Sequence, residues 1–172
     1  LTHDEIDRSH PAPEERDRAL VYTAIVPRFS LSVTTRTLAA LGELYDAYRD
    51  RGVYFTSHLN ENNRPGDGEI DAVKSLYEVD SYLDTYDGLF LPGSKRGGKT
   101  LLGRRSVMAH CVHCSDDELH RLAAAETAVA HCPTSQLFLG SGTMPWRRTI
   151  ASGVTVAART ELTLTRVPSK RS

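Results

Sequence analysis

The stretch "TSHLNEN", residues 56–62, follows "VYF" at 53–55, and its reading decides the fold. Val53, Tyr54, Phe55 and Thr56 are β-branched or aromatic, the residue types that fill a pleated surface, so the run reads as a β-strand ending on His58. Glu61 follows three positions later. In a parallel βα architecture, side chains at the C-terminal ends of strands converge on one face, where active sites form. An imidazole and a carboxylate at such an end are candidates for chemistry if other strands end in a similar way.

They do. "RSVMAH" (105–110) is a strand ending on His110, and "TAVAHC" (127–132) is a strand carrying His131 near its end. "VYTAIVP" (21–27), closed by a proline, and "VTVAA" (154–158) complete a set of five. Helical patterns lie between them. "TTRTLAALGELYDAYRDRG" (34–52) has Leu38, Leu41, Leu44, Tyr45 and Tyr48 at helical spacing and stops at Gly52. "GEIDAVKSLYEVDSYLDTYD" (68–87) reads as helix, "SDDELHRLAAAE" (115–126) as a helix with a serine cap and capping-box Glu118, and "MPWRRTIASG" (144–153) as a short helix. "APEERDRAL" (12–20) reads as another short helix ahead of the first strand. Alternating strands and helices predict an α/β chain with a parallel sheet and crossover helices.

Composition narrows the partners. The 172 residues carry 21 Lys plus Arg against 22 Asp plus Glu, a net charge of -1, with no basic run of the kind that tracks a phosphate backbone, so no nucleic-acid partner is expected. No window approaches the roughly 18 apolar residues of a membrane span. "LTHDEIDRSHPAPEERDRA" is too polar for a signal peptide, and a cytoplasmic location is expected. Three cysteines, Cys111, Cys114 and Cys132, are an odd number and read as reduced thiols. "GSKRGGKT" matches the phosphate-loop letters as Gly93 to Gly98-Lys99-Thr100, but no strand leads into it.

Neutral imidazoles on different strands with a carboxylate nearby are what a catalytic zinc site requires, with one position left for water. Glu61 is then placed to handle that water's proton. A structural zinc on Cys111-x-x-Cys114 and "HC" at 131–132 competes with this reading, but lacks a second C-x-x-C pair. If "SVMAHC" is a strand, His110 and Cys111 face opposite ways, which leaves Cys111 in the packing layer.

"IVPRFSLS" (25–32), "TSHLNEN", "VMAHCVHCSDDEL" (107–119) and "VAHCPTSQLFLGSG" (129–142) together resemble the amidohydrolase superfamily, and within it the guanine deaminases. The resemblance runs from about Tyr22 to Ala158 and implies the C-terminal part, about five βα units, of a metal-dependent hydrolase (β/α)8 TIM barrel. It implies one Zn2+ per complete site and the conversion of guanine and water to xanthine and ammonia. By that resemblance His58 and His110 are metal ligands, Glu61 is the catalytic glutamate, and Arg28 and Phe29 contact the purine. His131 then shapes the pocket. Glu161 stands where the family carries a metal-binding aspartate after the eighth strand, and the first-strand His-x-His has no counterpart. Residues 1–158 are therefore expected to form a partial barrel domain and 159–172 an aberrant or unstructured tail, as a change of reading frame would produce. Such a piece is expected to be inactive alone, with unsatisfied sheet edges that favour association; the full-length enzyme is expected to be a homodimer. A hydrolase of another aminated heterocycle, such as a pterin, a triazine or a cytosine-like base, and a non-catalytic remnant are the alternatives.

Overall fold

The computed structural model describes residues 2–66, 68–87, 100–160 and 163–166, with 158–160 and 163–166 described as backbone. The elements are α1 (His3–Ser9), β1 (Ala24–Ile25), α2 (Thr35–Tyr48), β2 (Tyr54–Leu59), α3 (Glu69–Tyr77), β3 (Ser106–His110), α4 (Asp116–Ala124), β4 (Ala128–His131), α5 (Pro133–Leu139), α6 (Trp146–Ala151), β5 (Val156–Thr160) and β6 (Thr163–Arg166). Short 3-10 turns punctuate the chain at 13–15, 30–32, 49–51 and 82–85.

The sheet runs in chain order from β1 to β6. Neighbours from β1 to β5 pair parallel, and β6 returns antiparallel on β5. Strand order that never reverses is the winding of a barrel wall rather than of an open, doubly wound sheet. The five parallel strands and their helices thus form an arc of the expected barrel.

β2 shows how the sheet is seated. Its residues alternate in burial, with Phe55, Ser57 and Leu59 buried and Tyr54, Thr56 and His58 half-exposed. The buried side meets the helix layer: the Phe55 ring lies 5.7 Å from that of Tyr45 on α2 and 6.0 Å from that of Tyr86. Tyr45, Tyr82, Tyr86, Leu38, Leu83 and Met108 complete a core rich in tyrosine. His58 stands on the other, concave face.

Local signals explain most boundaries. The Thr34 side chain caps α2 by accepting from Thr37 N, and Ser115 with Glu118 forms a capping box at α4. Gly52, at φ 96°, ends the turn that follows α2.

Two expectations need correction. Residues 12–20 form only a 3-10 turn at Pro13–Glu15, because the segment has no apolar stripe to bury; Leu20 is 98% exposed. The helix expected over 68–87 stops at Tyr77, where Glu78 adopts a left-handed conformation at φ 53°. A continued helix would point Tyr77 and Tyr86 in opposite directions, whereas both are buried. Within the tail expected to be aberrant or unstructured the structure describes β6, whose Thr163 pairs with Thr160. The segments at 3–9 and 133–139 are helices that the sequence pattern did not reveal. The phosphate-loop letters, Thr100 apart, lie outside the described residues.

Candidate metal centre

His58 closes β2, and the chain then turns through Asn60 at φ 49°. This turn folds Glu61 back beside the strand end, where its side chain is 11% exposed. On the next strand His110 has φ 77° and Cys111 φ 49°. In regular register His110 would lie beside Leu59 and share its direction toward the helix layer. The left-handed backbone turns it instead: the His110 ring stands edge-on to the His58 ring with centroids 4.5 Å apart. Cys111 goes into the packing layer, fully buried. The separation of His110 from Cys111 expected from strand alternation is present, but positive φ produces it.

Six non-glycine residues have positive φ among the described residues, and Arg28, Asn60, His110 and Cys111, four of the six, belong to this corner. Such conformations are held only where the surroundings over-determine them. Here they do: Leu59 O accepts from Cys111 N at 2.9 Å, Asn60 O accepts from His113 N at 3.1 Å, and Gln136 Nε2 donates to His110 O at 3.3 Å.

Glu61 Oε1 lies 3.3 Å from His110 Nδ1, and Glu61 Oε2 lies 3.7 Å from His58 Nδ1. The shorter contact lacks the alignment of a hydrogen bond, so among the described residues Glu61 Oε1 and both ring nitrogens of His110 are buried without a hydrogen-bond partner. Leaving a buried polar atom unpaired costs about 1–3 kcal/mol, so Glu61 Oε1 facing His110 Nδ1, with His110 Nε2 also unpaired, marks a place that suits a bound cation. His58, Glu61 and His110 each offer one ligand atom, and all three atoms lie within 4.8 Å of one another. Two imidazoles and a carboxylate suit zinc. No other group of three His, Cys, Asp or Glu residues among the described residues meets that distance, so the three cysteines do not make a rival centre.

Electrostatics agree with ligand duty. Burial, with the neighbouring His58 second, lowers the His110 pKa to about 4; burial and then the Arg28 charge hold that of His58 below its usual value. Both imidazoles therefore keep free lone pairs at neutral pH. Burial raises the Glu61 pKa, partly offset by Arg28, as suits a proton carrier.

Arg28 and Phe29 belong to the turn after β1, stitched to β2 by His58 N donating to Arg28 O at 2.7 Å. The Phe29 ring stacks near the His58 ring, with centroids 5.9 Å apart and planes 21° apart, and the Arg28 guanidinium lies 4.9 Å from the centre of the Phe29 ring. A flat apolar ring and an exposed donor fork thus border the two imidazoles. His131 stands apart from them: its ring packs 5.5 Å from Trp146 and its Nδ1 is buried without a partner. Glu161 lies outside the described residues.

Two supports of the site were not anticipated from sequence. The Tyr86 hydroxyl donates to His58 O at 3.0 Å, and Asn60 reaches Glu118 at 2.9 Å. Both join segments far apart in the chain, and no local pattern announces such pairs.

Comparison with known proteins places the chain. Residues 3–164 match the Amidohydrolase family. A probable guanine deaminase of Deinococcus radiodurans is 45% identical over 140 residues, which cover 81% of this chain and 28% of that protein. The structure of the guanine deaminase of E. coli superposes with a TM-score of 0.74 at 34% identity, covering 91% of this chain and 32% of that one. An atrazine chlorohydrolase from Arthrobacter aurescens, complexed with zinc, superposes with a TM-score of 0.67 at 25% identity, covering 91% of this chain and 30% of that one. The chain thus spans about a third or less of the length of these relatives. With five parallel βα units and two strand-end imidazoles around a carboxylate, it belongs to the amidohydrolase family.

Proposed function

We propose that this chain carries part of the active site of a guanine deaminase: two zinc ligands, His58 and His110, the proton-transferring Glu61, and the base-binding pair Arg28 and Phe29. The observation that carries the reading is the set of unpaired atoms of Glu61 and His110 facing the His58 ring. Likeness to guanine deaminases in sequence and in fold supports the choice of substrate.

A zinc ion held by His58 and His110 would supply a water of near-neutral pKa and a positive charge beside the reacting carbon. Glu61 would accept one proton of that water and deliver it to the ring nitrogen next to the carbon bearing the exocyclic amine. The water oxygen forms a bond to that carbon, the second proton passes to the amine, and the C–N bond breaks to release ammonia and leave xanthine. Phe29 offers its face to the purine, and Arg28 donates to purine acceptors. If Glu61 is free to carry protons, His58 and His110 are the two protein ligands among the described residues, and zinc needs at least one more donor. In this proposal Glu161 is one candidate for it and His131 shapes the pocket wall.

Zinc content by elemental analysis, with ammonia release from guanine, tests the reading on a guanine-active form of the protein that contains these residues and on its Glu61→Gln variant. The expected result is zinc retained in both and ammonia release reduced at least 100-fold in the variant. Guanine turnover by Glu61→Gln at the parent rate would overturn it. The zinc-bound triazine relative motivates a second reading, hydrolysis of another aminated heterocycle. A substrate panel separates the two, since Arg28 and Phe29 are expected to favour guanine over melamine-type rings.

A further inference from the structure

We propose that Asn60 and Glu118 form a clamp that sets the distance between the two imidazole-bearing strand ends, which makes both of them positioning residues for the metal centre. This rests on the reading of His58, Glu61 and His110 as that centre.

Asn60 is 1% exposed and Glu118 5% exposed. Asn60 Nδ2 donates to Glu118 Oε2 at 2.9 Å and to Cys114 Sγ at 3.3 Å. The same carboxylate accepts from Ser115 N at 2.8 Å and from Ser81 Oγ at 2.6 Å, with Leu83 N at 3.4 Å. A capping box accounts for the Ser115 bond alone. The remaining bonds draw the turn after β2, the 81–83 segment and the start of α4 onto one buried anion, whose partners among the described residues are all neutral donors. Asn60 also holds His113 N with its carbonyl. It is therefore fastened by main chain and side chain to the segment that begins at His110, while Glu61 is the next residue along.

Among the described residues Glu61 has no such fastening: its Oε1 is without a hydrogen-bond partner, and its near neighbours are the two imidazoles themselves. Its place is inherited from Asn60. Groups that orient metal ligands without touching the metal typically change metal affinity 10–100-fold when altered.

The test uses N60D, N60G and the double variant N60D/E118Q. Asp and Gly both tolerate positive φ, so the backbone turn is retained. N60D sets two carboxylates against each other. N60G removes the tie without repulsion, and the double variant restores an amide facing a carboxylate with the roles exchanged. Two readouts are taken: zinc affinity by competition with a chromophoric chelator, and, without metal, the nuclear Overhauser effect between the His58 and His110 ring protons. Circular dichroism checks that each variant is folded.

N60D and N60G are expected to weaken zinc binding 10–100-fold and to diminish the ring-to-ring effect; the double variant is expected to recover at least part of both relative to N60D. Zinc affinity within twofold of the parent in both single variants, or an unchanged ring-to-ring effect in both, overturns the proposal. If the parent chain takes up no zinc, the zinc reading fails on its own, and the metal-free measurement alone decides whether the clamp positions the rings.

Discussion

His110 carries the sharpest consequences among single residues. Buried beside His58, it stays neutral down to about pH 4, whereas in the unfolded chain it takes up a proton near its ordinary value of 6.5. Between those limits the unfolded state binds more protons, so stability falls as pH drops from 6.5 toward 4. The loss is about 3 kcal/mol at most for this one group. Urea unfolding of the metal-free chain at pH 7 and pH 4.5 is expected to show a larger difference for the parent than for His110→Asn, which lacks the titrating ring; equal differences would count against the burial argument. Phe29→Ala is expected to raise the KM for guanine about tenfold with a smaller change in kcat, because it removes a stacking surface and leaves the proton carrier. Steady-state kinetics on a guanine-active form of the protein separates the two parameters. His58, Glu61 and His110 were legible in sequence because each sits at or just after the end of an apolar strand pattern. The left-handed turn at His110 was not, since neither histidine nor cysteine advertises positive φ.

For the elements, capping residues proved informative and amphipathic length did not. Thr34, Ser115 and Glu118 mark helix starts that the fold uses, as their bonds act within one turn. The run from 68 to 87 looked continuous because its tyrosines recur often enough to suggest a helix, but burying Tyr77, Tyr82 and Tyr86 against one layer requires a break. That break costs a non-glycine left-handed residue, Glu78, which is exposed. Glu78→Gly is expected to stabilise the chain by roughly 0.5–1 kcal/mol, since glycine carries no steric penalty there. A higher urea midpoint checks this, and an unchanged or lower one would show that the cap is already relaxed. The segment at 12–20 failed as a helix for the opposite reason: its charges are spread all round, so no tertiary packing holds it.

In the molecule as a whole, the parallel order of the sheet was legible from alternation alone, and the barrel arc from the resemblance carried by the strand-end motifs. The antiparallel β6 was not, because a strand of four residues has too little pattern to read. Two surface features bear on behaviour in solution. Among the described residues β1 pairs only with β2, and Leu137, Phe138 and Leu139 are 72%, 87% and 48% exposed on α5. Contiguous apolar groups of this size favour association. Sedimentation velocity is expected to show a concentration-dependent shift to larger species for the parent chain, reduced in a Leu137→Lys/Phe138→Lys variant; a parent that sediments as a monomer at every concentration would contradict this.

The turn after β1 has a wider meaning. It presents Arg28 and Phe29, while the imidazoles and Glu61 hang from β2 and β3. On the proposed roles, what is held and what is done to it reside on separate pieces of chain, joined by the short bond from His58 N to Arg28 O. Descent with modification is free to rewrite the first piece while copying the second. On the proposed roles, a change of substrate would require altering that one turn and would leave the residues of the reaction in place.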